Sequence, residues 1–320
     1  MDAYVRAGVD ITGRAVRYAE VSQSASERRL SRLGRIDVDE DLLNSVLSGG
    51  DDERVHAVSE ALAEAFSGPE DSRGIDDLRI AISPREGHSF RVPVSSEAGP
   101  DARRSCLRQA TDLLVAPEKP LRITADVVCH GAMPRGAEEA WMHVLAVEER
   151  LDERLRRLVR DVPAKHTRLM SGAHAAVSMI GCAEAAREDA GENSCVLGIG
   201  WYADRLDYIF CTGKVWRFGG FAEGIEPIDA AYLGVHTASR FGIPPSGVKT
   251  VYMYGETAPD ALFSELRAVF GGDIRVLHPA ALQDVPVTSP PSDVDVPAYA
   301  GCIGGALYEG EEFFYSVSRP

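Results

Sequence analysis

The sequence has few cysteines, and their spacing excludes two common uses. Six occur among 320 residues, and none forms a Cys-x-x-Cys pair, whereas a zinc site or a disulfide framework needs paired cysteines. The eight histidines also lack the His-x-x-x-His and His-Glu-x-x-His spacings of metal sites. We therefore predict no metal site and a reducing compartment in which the cysteines are small buried residues. Of the histidines, His174 in an Ala-rich helix is the best candidate for burial.

Long apolar runs and an excess of positive charge are missing too. No stretch approaches the roughly 18 apolar residues that a membrane-spanning helix needs. The first residues have the pattern of a strand and not of a signal peptide. The formal net charge is -15, so nucleic acid and anionic lipid would repel the chain. These absences predict a cytoplasmic protein without a nucleic-acid partner.

Three signatures of well-known nucleotide and hydrolase sites are also absent. The sequence contains neither the Gly-x-x-x-x-Gly-Lys-Ser/Thr loop of P-loop proteins nor the Gly-x-Ser-x-Gly turn of α/β-hydrolases. The pair Gly198 and Gly200 lacks the third glycine and the acidic residue of a dinucleotide-binding fingerprint. A conventional active site of these classes is therefore excluded.

The sequence does contain a repeated order of strands and helices. Three strand patterns, a helix, a strand and a helix occur in the first part, and a similar order resumes after the polar stretch 188–192. A further α/β pattern interrupts the first part. We predict an α/β protein whose first half covers 1–83 plus 166–192, whose inserted subdomain covers 84–165, and whose second half covers 193–320.

The opening hairpins of the two halves are the predicted walls of a nucleotide cleft. Such a cleft needs glycine turns that approach phosphates and carboxylates that hold Mg²⁺. The first hairpin has Asp10, but the second has Gly198 where a carboxylate is expected. Catalysis would therefore require Asp204 or Asp207 to reach into the cleft. Asp10 alone is equally consistent with a turn cap that binds no metal.

Several segments resemble, in order, the PilM family of pilus-assembly proteins, and more distantly the FtsA family of cell-division proteins and the cytoplasmic domains of the GspL family. The resemblance covers nearly the whole chain, and the order of its motifs is more specific than any one of them. The similar segments are the first hairpin 9–21, the subdomain segments 91–94 and 123–128, the Gly-rich turn 219–225, the Gly-containing loop 252–256, the segment 277–279 and the small-residue helix from Tyr299.

This resemblance implies an actin-like ATPase fold, built from duplicated ribonuclease H-like units with an inserted small α/β subdomain of the PilM/FtsA type. It also implies a vestigial nucleotide site without catalytic residues, which requires no cofactor and binds ATP with Mg²⁺ weakly at most. Turnover is not expected because the second carboxylate is missing and an acid follows the single glycine of the adenosine loop. The implied residues are Asp10, Thr12, Gly13, Arg14, Gly198, Gly200, Gly219, Gly220, Gly255 and Glu256.

The resemblance further implies a scaffold of a type IV pilus or type II secretion-like assembly platform at the inner face of the cytoplasmic membrane. PilM-like proteins hold the cytoplasmic tail of a single-span membrane partner, and GspL-like domains contact a hexameric ATPase; a homodimer is also possible. An exposed strand edge could bind such a tail. Pro93 suits an edge, although it could equally well end a strand. The candidate edge is Phe90, Arg91, Val92, Pro93 and Val94.

The sequence leaves two alternatives open. One is an active ATPase or small-molecule kinase of the same fold, which would need a carboxylate near Gly198. The other is an FtsA-like filament protein, which would need an amphipathic membrane-targeting tail. The apolar segment Phe313–Val317 is too short to serve as one.

Overall fold

The computed structural model describes thirteen stretches of the chain, from Tyr4 to Val317. The helices and strands introduced below are numbered in chain order within these stretches. The described residues are 4–12, 15–24, 28–38, 52–67, 74–83, 87–116, 119–132, 138–187, 194–212, 215–223, 226–278, 296–309 and 312–317. None of their helices is long and apolar enough to cross a membrane.

The first half is built on a five-stranded mixed sheet of order β3-β2-β1-β4-β8. Strands β1, β2 and β3 form an antiparallel meander, and β4 and β8 continue the sheet in parallel. Alternate residues of β1 lie on the same face of the sheet and belong to one buried cluster, namely Val5, Ala7, Val9 and Ile11. The elements are β1 (Tyr4–Thr12), β2 (Ala15–Gln23), β3 (Arg28–Asp37), α1 (Asp52–Phe66), β4 (Ile75–Ile82), β8 (Ala164–Ser171) and α4 (Gly172–Ala185).

The second half repeats this arrangement with the order β11-β10-β9-β12-β13. Its first three strands are again antiparallel, and its last two are again parallel. Two sheets of the same order and the same mixture of directions confirm the predicted duplicated α/β architecture. The elements are β9 (Cys195–Trp201), β10 (Arg205–Thr212), β11 (Val215–Glu223), α5 (Pro227–Ser239), β12 (Val248–Gly255), α6 (Asp260–Phe270) and β13 (Asp273–Val276).

A four-stranded antiparallel sheet of order β14-β6-β7-β5 forms the inserted subdomain. Helix α2 packs on this sheet through Leu107, whereas the apolar face of α3 packs in the first half beside α1. Strand β14 lies in the segment 193–320, so residues that the sequence assigned to the second half complete this sheet. The domain boundaries stay a prediction. The elements are β5 (His88–Ser95), α2 (Pro100–Leu114), β6 (Leu121–Ala132), β7 (Glu138–Glu148), α3 (Glu149–Leu158) and β14 (Glu312–Val317).

Helix α7 (Ala300–Leu307) is completely buried because its small residues let backbones meet. A Cβ on Gly8 of β1 would overlap with the carbonyl oxygen of Cys302, and a Cβ on Gly304 would overlap with that of Ala175 in α4. Both glycines are therefore required by close approach, not by backbone conformation. The helix is consequently held between β1 and α4.

The two halves share one hydrophobic core around α4 and α7. Val21 of the first sheet, Met179 of α4 and Trp216 of the second sheet belong to the same buried cluster. Each half has one further cluster under its outer helices, and a fourth cluster fills the inserted subdomain. The interface between the halves is therefore packed like a domain interior.

Candidate functional site

The first hairpin places its carboxylate in the protein interior. Asp10 lies near the end of β1, opposite Arg17 of β2, and is 2% exposed. Its carboxyl group packs against Gly301 at the start of α7, where a Cβ would overlap with it. Thr12 ends β1, and residues 13 and 14 lie outside the described residues. Asp10 is thus enclosed by the shared core, and only a small residue can occupy position 301.

The two glycines of the second hairpin make room for neighbouring side chains. A Cβ on Gly198 would lie 2.8 Å from Cδ1 of Ile180, and one on Gly200 would lie 2.5 Å from the ring of Tyr254. The position where a carboxylate was expected is therefore occupied by tight apolar packing. These glycines serve the contact between β9 and its neighbours, a role that sequence reasoning had assigned to phosphate approach.

A buried ion pair replaces the missing carboxylate in the second hairpin. Nε of Arg205 donates to Oδ1 of Asp207 at 3.0 Å, and its guanidinium lies 3.9 Å from the ring centre of Tyr202. Burial raises the pKa of Asp207 to about 6, although Arg205 lowers it. Burial and the charges of Asp207 and Asp10 raise the pKa of Tyr202 well above its ordinary value. Asp207 therefore lies near the cleft, but its carboxylate is hydrogen-bonded to Arg205 of the same strand.

The predicted adenosine loop closes on the second hairpin. Gly255 has a φ of +93° and packs against the backbone of Trp201, so only glycine fits there. The next residue, Glu256, accepts a hydrogen bond from the backbone N–H of Ala203 at 3.0 Å. Its other oxygen lies 4.0 Å from the guanidinium of Arg17 across the cleft. The carboxylate of Glu256 thus contacts a turn amide and an arginine, which are the kinds of group that bind a phosphate.

Those residues of this cleft that the structure describes do not fit ATP with Mg²⁺. Tyr202 and Tyr254 are buried between the hairpins. The carboxylate of Glu256 already accepts the hydrogen bond of the backbone N–H of Ala203. A bound phosphate would meet that carboxylate as a like charge. The described residues of this region, which we call the filled cleft, therefore provide no site for nucleotide chemistry.

A second cleft, of about 400 Å³, opens where the three sheets meet. We call it the open cleft. One wall is β5, the edge strand of the inserted sheet, and the facing wall is β11, the edge strand of the second half. Arg91 of β5 donates to the carbonyl oxygens of Trp216 and Arg217, which joins the two edges beside the cleft. The lining residues are Gly87, His88, Ser89, Phe90, Leu114, Val115, Ser171, Ala173, Tyr208, Gly219, Gly220 and Phe221.

Gly219 and Gly220 belong to this open cleft and lie within strand β11. The sequence placed them in a turn before the next helix, but β11 continues to Glu223. A Cβ on Gly220 would lie 2.7 Å from the hydroxyl of Tyr208 on the neighbouring strand. Because glycine has no side chain, the ring of Tyr208 can lie over β11 at this point, and the outer edge of β11 stays accessible.

The proposed partner edge is divided between core and cleft. Phe90 lines the open cleft and Arg91 joins it to β11, whereas Val92 and Val94 are buried in the core of the subdomain. Pro93 lies on the solvent-exposed face of this edge strand. Sequence reasoning missed the cleft residues of α2 and assigned Gly219 and Gly220 of β11 to a nucleotide site, although two consecutive leucines at the end of α2 were a visible signal of an apolar surface.

The chain matches no protein-family model, and no curated protein matches it. Among solved structures, a chain of a PilM–PilN type IV pilus biogenesis complex is 12% identical, with 94% of this chain and 97% of that chain covered and a TM-score of 0.67. A Bacteroides thetaiotaomicron protein of actin-like ATPase fold and unknown function is 9% identical (88% and 94% covered, TM-score 0.49). The cytoplasmic domain of EpsL, from the Vibrio cholerae type II secretion system, is 11% identical (81% and 84%, TM-score 0.41). The first of these confirms the predicted similarity of fold to PilM.

Proposed function

We propose that this chain is a cytoplasmic scaffold of a type IV pilus or type II secretion-like assembly platform, and that its open cleft binds the cytoplasmic tail of a single-span membrane protein. The observation that carries the proposal is the pair of strand edges, β5 and β11, that face each other across about 400 Å³. The fold shared with a chain of a PilM–PilN complex supports the same class of assembly.

The shape of the open cleft suits an extended peptide. An added strand gains backbone hydrogen bonds from a free sheet edge, and side-chain pockets supply specificity. Here the edges offer backbone groups on both sides, and Gly219 and Gly220 leave one wall without side chains. Phe90 and Phe221 provide apolar surface within the same cleft. A short extended tail fits these features better than a compact domain does.

The apolar rim of the cleft also favours a protein ligand. Leu114, at the end of α2, is 64% exposed and lines the cleft, and Phe221 is partly exposed on the other wall. Exposed large apolar residues that meet at a concave surface are typical of interaction sites. Their burial by a tail would contribute to affinity through the area removed from water.

The charge of the chain is complementary to that of such a tail. The net charge is -15, and cytoplasmic segments next to a membrane span carry an excess of Lys and Arg. Opposite charges steer the encounter and raise its rate. Binding is therefore expected to weaken as salt concentration rises.

The proposal includes no ATP turnover. A scaffold of this kind would keep the architecture of an ATPase while the filled cleft contributes stability instead of chemistry. ATP with Mg²⁺ is not required, and weak binding at most is expected. No observation in the described residues favours the alternative of a kinase or an FtsA-like filament.

The proposal is tested by fluorescence anisotropy with labelled synthetic peptides. The peptides copy the N-terminal cytoplasmic tails of single-span inner-membrane proteins of pilus and secretion platforms from the same genome. Leu114→Glu should weaken the binding of the cognate tail at least tenfold, because it places a charge in the apolar cleft. Leu113→Glu is the matched control, since Leu113 is 83% exposed on the same helix and does not line the cleft.

Two results would contradict the proposal. One is the absence of saturable binding for every tail of such proteins. The other is an equal loss of affinity in both variants, which would indicate a general charge effect and no site in the open cleft.

A further inference from the structure

Three side chains of the metal-ligand type meet where the inserted sheet packs on the first half. Asp126 lies on β6, His143 on β7 and His174 near the start of α4. All three are buried, with exposures of 3%, 2% and 4%. One ligand atom of each lies within 4.8 Å of the others. Three polar side chains from separate elements thus lie close together in the protein interior.

The polar atoms of this cluster are left without adequate partners. Oδ1 of Asp126 and Nδ1 of His174 are buried and make no hydrogen bond. Among the described residues, the ion-pair partner within reach of Asp126 is His174, whose Nδ1 lies 3.3 Å from Oδ2. A buried carboxylate with so little compensation is unfavourable, so a cation at this point would stabilise it.

The geometry of the pair agrees with a tetrahedral ion. Nitrogen and oxygen ligands at about 2.0–2.1 Å from a tetrahedral Zn²⁺ lie about 3.3 Å from each other. This is the separation of Nδ1 of His174 and Oδ2 of Asp126.

Neighbouring residues provide an outer shell and a route of entry. The hydroxyl of Ser89 lies 2.6 Å from Nε2 of His143, the kind of contact that fixes a ligand ring. Trp216 stacks on His174 with ring centres 4.9 Å apart, and Tyr308 meets the same ring edge-on at 4.7 Å. Ser89 and Ala173, the neighbour of His174, line the open cleft, so an ion would enter from there.

We propose that Asp126, His143 and His174 form a binding site for a divalent transition-metal ion, with Zn²⁺ as the expected occupant. Two imidazoles and one carboxylate suit Zn²⁺, whereas Ca²⁺ and Mg²⁺ require mostly oxygen ligands. The ion ties β6 and β7 of the inserted sheet to α4. It thereby stabilises the subdomain that forms one wall of the open cleft. No metal site was predicted from the sequence, because it contains no histidine spacing motif. The three proposed ligands lie far apart in the chain and form no such motif.

The test is a metal titration of the full chain after treatment with a chelator. Calorimetry should show one tightly bound equivalent of Zn²⁺, and thermal unfolding should shift to higher temperature when it is added. Asp126→Asn and His174→Gln should each weaken this binding at least tenfold. His56→Gln is the matched control, since its side chain is 62% exposed on α1 and should leave the affinity unchanged.

Co²⁺ supplies a readout that needs no variant. One equivalent should produce the intense visible absorption of a tetrahedral nitrogen and oxygen site, and Zn²⁺ should displace it. The proposal is overturned if neither ion binds the wild-type chain, if the Co²⁺ spectrum is that of a six-coordinate surface site, or if folded His174→Gln binds as tightly as His56→Gln. In those cases the cluster is a buried His–Asp contact.

Discussion

The filled cleft and the open cleft lie in the same molecule but differ in what occupies them. Between the hairpins, Tyr202, Tyr254 and Glu256 occupy the space and the donors that a nucleotide would use. Between β5 and β11, two strand edges and two glycines leave about 400 Å³ accessible. The comparison shows that a fold provides possible clefts, and that side chains decide which of them can receive a ligand.

The two clefts are also held together by different forces. The filled cleft is stabilised by a buried ion pair, by aromatic packing and by the backbone contacts of α7. The open cleft is joined by one arginine at its side. Substitutions in the filled cleft should therefore cost global stability, whereas those at the open cleft should change local opening and binding.

The largest effect is expected for Arg205→Gln. The variant removes the cation that offsets the burial of Asp207, which should lower the free energy of unfolding by about 3 kcal/mol. Urea denaturation measures the change. Asp204→Asn is the matched control, because Asp204 also lies near Arg205 but is 54% exposed, and it should cost less than about 1 kcal/mol. Equal costs for the two variants would show that the buried pair is not what stabilises the filled cleft.

The carboxyl group of Asp207 should leave a signature in the pH dependence of stability. Its pKa in the folded chain is raised to about 6, whereas an unfolded aspartate has a pKa of about 3.9. Between these values the folded state retains a proton that the unfolded state has lost, so the contribution to stability falls as pH rises from about 4 to about 6. Asp207→Asn should lack this fall when urea midpoints are compared across the range; an unchanged profile would contradict the raised pKa.

A smaller loss, about 2 kcal/mol, is expected for Gly304→Ala. The added methyl group would overlap with the backbone of Ala175 and force α7 away from α4. Gly181→Ala is the matched control, since it also changes a helical glycine but has open space around the new atom. It should stabilise the chain by up to about 1 kcal/mol. Thermal unfolding distinguishes the two; a harmless Gly304→Ala would mean that the contact can relax.

Arg91→Ala should separate local from global stability. The variant removes the hydrogen bonds that join β5 to β11, so local opening should become easier by about 1.5 kcal/mol. Hydrogen exchange should increase at both cleft edges while the cores of the two halves stay protected. Arg103→Ala removes an arginine–carbonyl contact inside the subdomain and should leave β11 unchanged. Increased exchange in β11 in both variants would contradict a specific tie.

The smallest effect is expected for Glu256→Ala. Its partly exposed contacts with Ala203 and Arg17 should contribute less than about 1 kcal/mol. The two tyrosines still fill the cleft in this variant, so neither it nor the wild type should bind a fluorescent ATP analogue saturably with Mg²⁺. Asp260→Ala, which removes an exposed acid near the same loop, controls for charge. Saturable binding by the wild type would contradict the filled cleft.

Local patterns were enough to predict much of the fold. The strand pattern predicted for the first residues corresponds to β1 (Tyr4–Thr12), and the strand edge predicted over Phe90–Val94 lies within β5, because the period of a strand is visible in short windows. The continuation of β11 through two glycines was missed, since glycine usually interrupts a strand. The reason these glycines are tolerated, the ring of Tyr208, lies on the neighbouring strand and not in the local sequence.

The candidate site was less accessible to sequence reasoning. Asp10, Gly200 and Glu256 were correctly assigned to neighbouring hairpins and loops, but their partners decide what they do. Phe90 was predicted to lie on an exposed strand edge, and it lines the open cleft. Strand β11 was not recognised as the opposite wall of that cleft. The role of a residue at a cleft depends on contacts between distant segments, which single-sequence patterns do not encode.

The sequence by itself determined the repeated order of elements, the acidic charge and the absence of a second carboxylate at Gly198, since each is a property of composition or of a short window. Only the tertiary structure decided that Glu256 meets Ala203 and Arg17, and that Asp126, His143 and His174 share a buried point. The physical reason is that these groups are joined by packing of separate sheets and helices, whose register is fixed when the whole core is buried.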